Sequence, residues 1–382
     1  MKIFIIGPAH PYRGGIAALN DRLAQQLLAE GHQTEVINFK LQYPGLLFPG
    51  TTQFTDSPAP KGLKQRRLIN SINPLNWLYV GLKLRKEKPD LVIVRFWLPF
   101  MGPSTGTVCR LIKRKNNNKV IALVDNILPH EKRPGDLIFT RYFTSAIDGF
   151  VAMSRSVFND LDQFIGKKPK LLTPHPIYDH YGKIISKEDA LQKLNLDKNY
   201  KYILFFGFIR DYKGLDLLLE AMATEQIKQS NIKLIVAGEF YANEKKYTDL
   251  INQLNIKEKV VLCTNYIAED KVNRYFCACD LVAQPYKTAT QSGVTQIAYH
   301  FEKPMLVTNV GGLPEIVEDQ KCGYVVDVDS KAIANAISDF YNNKRENQML
   351  NEVKNAKEKF AWDKLTKTIF QIYNHCSSDK KS

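Results

Sequence analysis

The chain has 382 residues, 44% of them hydrophobic and 24% charged, and a formal net charge of +14. This length exceeds one ordinary core and predicts two domains. The six cysteines lack CxxC or zinc-ligand spacing, which argues against a disulfide framework or metal centre and for reduced thiols in a cytoplasmic setting. No apolar run approaches the roughly 20 residues that cross a bilayer, and the first is too short for a secretory leader.

The charge is uneven. Residues 1–180 hold 25 Lys and Arg against 13 Asp and Glu, whereas residues 181–382 hold 28 against 26. A basic half beside a nearly neutral half suggests that one domain meets something anionic; a well-solvated surface is the plain alternative.

In chain order, "KIFII" opens as a buried strand and leads into Gly7, Gly14 and Gly15 before the amphipathic "IAALNDRLAQQLLAEG". Glycines at a helix start let backbone N–H groups approach a phosphate or a sugar hydroxyl, or they serve a tight turn that needs positive φ. "TEVINF" is the next strand. Residues 41–75, rich in Pro, Gly and Ser, read as a long insert of the kind that forms a functional flap. "NPLNWLYVGLKLRKEKPD" combines Trp77, Leu78, Tyr79 and Leu82 with Lys83, Arg85, Lys86 and Lys88. It fits an interfacial helix, or a core helix whose last-turn cations complement its dipole. "RFWLPFMGP" beside it adds aromatics that look exposed. The strands "DLVIVRF", "KVIALVD", "GFVAMS" and "KLLTP" complete the first series.

Pro174, Pro176 and Gly182 interrupt the pattern and place a boundary near residue 178. Beyond it, "KYILFFG", "IKLIVAG", "KVVLCT", "DLVAQP", "PMLVTN" and "GYVVD" repeat the alternation of strand and helix. Apolar strands separated by helices mean parallel sheets, and two such series mean two Rossmann-like α/β domains, 1–178 and 179–361. The closing "HCSSDKKS" reads as a frayed tail. The Cys277 and Cys279 pair reads as packing at a helix end. "DLD" at 160–162 and "DVD" at 327–329 resemble a metal-binding DxD only superficially and read as surface.

Chemistry concentrates at the second set of strand–helix turns. "FFGFIRDYKG" sets Gly207, Arg210, Lys213 and Gly214 after a buried strand, where ligands of parallel sheets bind. The two cations can converge on one diphosphate, the Arg as a planar fork and the Lys as a point charge. Thr290, Gln291, Ser292 and Gly293 open another helix and form an anion cradle. Gly311, Gly312 and Glu315 stand at one more such turn.

With these residues the chain resembles the retaining glycosyltransferases of family 4 (group 1), of GT-B fold. The resemblance runs through the "GG" loop, "NILPHEKRPGD", "FGFIRDYKG", Gly238 in "VAGE", "NYIAEDKVNRYF", "ATQSGV" and "VGGLPEIVED". It implies two Rossmann-like domains facing across a cleft, the first for the acceptor and the second for a nucleotide sugar, with a final helix near 362–376 returning to the first. Arg210 and Lys213 would hold the leaving diphosphate, and Ser292 and Gly293 would offer it amides. Gly15 would lie against the donor phosphates, and Tyr266 and Ile267 would read the base. No cofactor or metal is implied. A lipid-linked or otherwise anionic acceptor, met at a membrane surface, would explain the charge asymmetry.

Two departures stand out. Where the family carries two glutamates separated by seven intervening residues, this chain has Ala289 and Ile297, and where it carries a histidine before "NxxPHE", this chain has Asp125. Asp125 could take a sugar hydroxyl but cannot act as a cationic imidazole; His130 compensates or only orients the loop. The other readings left open are a sugar-nucleotide epimerase and a transferase-like partner that binds nucleotide without turnover.

Overall fold

A computed structural model describes residues 1–45, 53–55, 58–113, 118–128, 133–241, 243–289 and 292–378. The chain divides into two compact units, Met1–His175 with Trp362–Ser382, and Pro176–Ala361.

The first unit is built on a seven-stranded parallel sheet. Its strands are β1 (Lys2–Ile6), β2 (Gln33–Leu41), β3 (Lys64–Asn70), β4 (Leu91–Phe96), β5 (Lys119–Val124), β6 (Gly149–Ala152) and β7 (Lys170–Leu172), in the order β3-β2-β1-β4-β5-β6-β7. β4, β5 and β6 are buried along their whole length, as expected when helices cover both faces. Helix α1 (Gly15–Ala29) buries Leu19, Leu23 and Leu27 in one stripe, each contributing about 1.5–3 kcal/mol. The final helix, Trp362–Ser378, packs beside it: Arg22 lies 4.9 Å over the Trp362 ring and Thr366 Oγ1 donates to Glu30.

α2 (Pro74–Lys86), α3 (Gly102–Lys113) and α4 (Asp136–Ala146) form a layer in which α3 packs against both neighbours. Glycines allow the close approach. A Cβ on Gly81 would come 2.7 Å from the Leu111 side chain, and one on Gly102 would come 2.5 Å from the Phe139 carbonyl.

The first unit corrects several sequence expectations. The insert expected over 41–75 yields to regular structure at Lys64. β3 pairs parallel to β2, and Arg66 bonds both Glu35 and Glu87. The aromatics of "RFWLPFMGP" are not an exposed set: Phe96 is buried and stacked on Phe143, and Trp97 donates to the Tyr43 hydroxyl. The tail does not fray at its start, because His375–Ser378 are helical and Cys376 is buried. α2 is a packed helix with its cations at the end, as one of its two readings had it, and it also leaves an apolar row in solvent. Val80, Gly81 and Leu84 are buried, its last turn carries the cations, and Leu75, Leu78, Tyr79 and Leu82 remain exposed.

The second unit is a six-stranded parallel sheet in the order β10-β9-β8-β11-β12-β13. The strands are β8 (Lys201–Phe206), β9 (Ile232–Ala237), β10 (Val260–Cys263), β11 (Leu281–Gln284), β12 (Met305–Thr308) and β13 (Gly323–Val326). The order reverses between β8 and β11, and a crevice opens beyond the strand ends at such a switch point. Cys277 and Cys279 are buried free thiols at a helix end.

Candidate functional site

Within the second unit, the loops after β8, β9 and β11 meet at the switch point. Gly207 has φ 97° and Gly238 has φ 139°, and a Cβ on Gly238 would come 2.4 Å from the Gly207 carbonyl oxygen. Two backbones approach so closely that no side chain fits between them. Gly214 seals the other side: with φ 68°, its Cβ would collide with the Pro285 carbonyl at 1.9 Å. The Lys287 amide also donates to the Tyr212 carbonyl at 2.7 Å.

Lys213 sits in this frame, 9% exposed. Its ammonium lies beside Gly207, whose added Cβ would be 2.9 Å from Nζ and 3.9 Å from Val294 Cγ2. Nζ is 5.6 Å from the centre of the Tyr286 ring. No carboxylate or hydrogen-bonding group pairs with Nζ among the described residues. Burial, and then the charge of Arg210, lower its pKa from 10.5 to about 8.

Arg210 is exposed, with its guanidinium 5.3 Å from the centre of the Tyr241 ring. The adjacent Asp211 is already engaged by Lys246 Nζ at 2.8 Å and the Tyr247 hydroxyl at 3.0 Å. Arg210 therefore keeps its charge without an ion-pair partner among the described residues.

The helix Gly293–His300 starts at the same place. Ser292 caps it by accepting from the Val294 amide at 3.2 Å, and the Ser292 hydroxyl lies 3.1 Å from that of Tyr286. A Cβ on Gly293 would come 2.9 Å from the Tyr178 ring. The structure thus brings together Gly207, Gly238, Lys213, Ser292 and Gly293, with Arg210 at the rim. Two cations and a helix N-terminus make a strongly electropositive pocket edge.

The other sequence candidates are placed as follows. Tyr266 is exposed and Ile267 half-buried in the loop after β10. Glu315 is exposed in the short helix Leu313–Ile316 after β12. Thr290, Gln291 and His130 lie outside the described residues. Ala289 is half-buried, and Ile297 is buried in the helix Gly293–His300, so neither glutamate position offers a carboxylate. The Gln284 and Gln296 amides are buried without a hydrogen-bond partner among the described residues. Of the DxD segments, Asp162 pairs with Lys170, and Asp329 caps the helix Ser330–Asn342.

In the first unit, Gly14 has φ 109° and stands before Gly15 at the start of α1, which no side chain among the described residues caps. Asp125, at the end of β5, is bound through both oxygens by Arg95, with one contact of 2.5 Å; Arg95 is 1% exposed in β4. Neither Arg95 nor Tyr241 was singled out from the sequence. Each is an ordinary strand or loop residue until the fold supplies its partner.

Residues 186–359 match the family model of the glycosyl transferases group 1. An uncharacterized glycosyltransferase of Methanocaldococcus jannaschii is 29% identical over 399 aligned residues, covering 98% of each chain. Both likenesses are to glycosyltransferases. The fold is that of GT-B proteins. The Anabaena protein HepE, solved in complex with UDP-glucose, superposes with a TM-score of 0.70 at 16% identity, over 99% of this chain and 100% of that one. WaaG, a glycosyltransferase involved in lipopolysaccharide biosynthesis, gives 0.62 at 16% identity, over 94% of both chains. The group 1 match falls within the second unit and contains Gly207, Arg210, Lys213, Ser292 and Gly293.

Proposed function

We propose that this chain is a retaining glycosyltransferase of group 1. It would move a sugar from a nucleoside diphosphate sugar to an acceptor hydroxyl, in the synthesis of a surface polysaccharide or glycolipid. One observation carries the reading: Lys213 is a buried cation with no ion-pair or hydrogen-bond partner among the described residues, beside Arg210 and a helix start. A buried unpaired charge costs stability, and an incoming diphosphate would compensate it.

In this reading the bond from the sugar's anomeric carbon to the diphosphate oxygen breaks while the acceptor oxygen bonds the same carbon from the same face. The departing diphosphate takes the acceptor proton. Lys213, Arg210 and the amides of the helix Gly293–His300 stabilise the charge that develops on the leaving group, so catalysis rests on positioning and electrostatics. The positive charge is supplied by the chain itself, and the proposed reaction needs no metal. Tyr266 and Ile267 would present backbone to the base. In the first unit, the start of α1 at Gly14 and Gly15 would meet phosphates or hydroxyls, and Asp125, held by Arg95, would take a sugar hydroxyl. The HepE and WaaG likenesses support a UDP-sugar donor and a polysaccharide or glycolipid product.

The test is titration with UDP, GDP and ADP, followed by transfer and donor-hydrolysis assays on the same protein. Wild type should bind one diphosphate selectively, and Arg210→Ala or Lys213→Ala should lower turnover about 10²–10³-fold. Unchanged turnover in both variants would refute the site. Selective binding without turnover would favour the non-catalytic partner, the reading that Ala289 and Ile297 support.

A further inference from the structure

The geometry points to the outer face of the α2–α3–α4 layer as a docking surface for an anionic lipid bilayer. The inference goes beyond the transferase reading and stands independently of it.

The face carries exposed apolar side chains in two rows. On α2, Leu75, Leu78, Tyr79 and Leu82 recur at i, i+3, i+4 and i+7, with Leu75 76% and Tyr79 62% exposed. This row lies opposite the buried Val80 and Leu84, so it is not a frayed part of the core. On α4, Leu137, Ile138 and Tyr142 are exposed, Ile138 by 71%. Single exposed apolar residues need no explanation, but contiguous sets mark interaction sites. α3 packs between the two helices, drawn to both by Gly81 and Gly102, and has no fully exposed residue of its own.

Charge selects the occupant. Residues 72–86 contain no Asp or Glu, while Lys83 and Arg85 flank the apolar row and Lys86 continues it. Arg141 is exposed on α4, and Arg110 lies 3.8 Å over the Tyr142 ring at the junction with α3. Among these three helices Asp136 is the one acid, and it is turned to the Arg133 amide at the start of α4. Apolar side chains at the acyl boundary with cations at headgroup level are the pattern of a helix lying in an interface. Each cation adds attraction to anionic headgroups. A protein partner would have to be acidic over the whole layer, and a second copy would bring like charge against like.

The experiment is flotation of the full chain, without donor or acceptor, on equimolar phosphatidylglycerol–phosphatidylcholine vesicles and on pure phosphatidylcholine vesicles. Wild type should float with the anionic vesicles at least about tenfold more strongly, and about 1 M salt should release it. Leu75→Ser/Leu78→Ser/Leu82→Ser and, separately, Lys83→Glu/Lys86→Glu should each lower binding about tenfold or more while melting like wild type, since these positions face solvent. Equal binding to both vesicle types, no binding, or unchanged binding in the folded variants would overturn the inference. So would sedimentation showing that the apolar variant converts a dimer into a monomer, because the face would then belong to a second copy. Transferase activity does not enter the readout, so the two proposals fail separately.

Discussion

Two buried cations, one in each unit, are held in opposite ways. In the first, Arg95 is fully enclosed and meets Asp125 through both carboxylate oxygens, and Arg66 at the sheet edge bridges Glu35 and Glu87. In the second, Lys213 is nearly as enclosed and has no counter-ion among the described residues, and its neighbour Arg210 rests on a tyrosine ring. A buried cation that finds its anion within the chain is compensated by the fold. In the proposed function Lys213, without such an anion among the described residues, is held ready for one from outside. The contrast separates the ions that build this protein from those that point to its ligand.

Breaking the compensated pair should have the largest effect. Asp125→Ala strands the Arg95 guanidinium and should cost about 3–5 kcal/mol in chemical denaturation. The double change Arg95→Met/Asp125→Leu should recover most of that loss. If Asp125→Ala denatures like wild type, the pair does not compensate Arg95 and the comparison loses one side.

The uncompensated cation should behave in reverse. Lys213 has a folded-state pKa of about 8, below the ordinary 10.5, so its charged form opposes folding at neutral pH. The burden lessens as pH rises from about 8 towards 10.5, where the folded protein carries Lys213 neutral and the unfolded chain still protonates it. Lys213→Met should therefore stabilise the protein, by on the order of 1–3 kcal/mol at pH 7, while abolishing nucleoside diphosphate binding. A destabilised variant would show that Lys213 has a partner in the fold.

The smallest effect sharpens the picture of Arg210. Its guanidinium lies over Tyr241, whose ring centre is 4.4 Å from that of Phe208. An exposed cation–π contact is worth about 0.5–1 kcal/mol. Tyr241→Ala should weaken diphosphate binding about two- to fivefold, and Tyr241→Phe should restore it because the ring face remains. Loss in both would assign the contribution to the tyrosine hydroxyl instead.

Much of this was legible in the chain. Apolar runs marked twelve of the thirteen strands, because strands covered on both faces have no polar alternation to obscure them. The thirteenth, β3, was hidden. "KQRRLIN" contains three cations, which lie at the sheet edge where Glu35, Glu87 and the Phe39 carbonyl receive them. The loop of Gly207, Arg210 and Lys213 was readable because its residues are adjacent in sequence. Tyr241 and Tyr286 were not, since they arrive from the loops after β9 and β11 and only the strand order brings them together. Nor could local sequence show that Arg95, inside an apolar strand, shares a carboxylate with the next strand's end. Exposure on α2 was half legible: the apolar spacing was visible, but not that Gly81 would let α2 close on Leu111 of α3 and leave the leucine row outside.

The most direct test of the central claim is calorimetric titration of the preferred nucleoside diphosphate at pH 7 and at pH 9. Binding should recharge Lys213, so affinity should fall by about tenfold at the higher pH with proton uptake on complex formation. Equal affinity at both pH values, with no proton taken up, would contradict the claim that this lysine waits for the diphosphate.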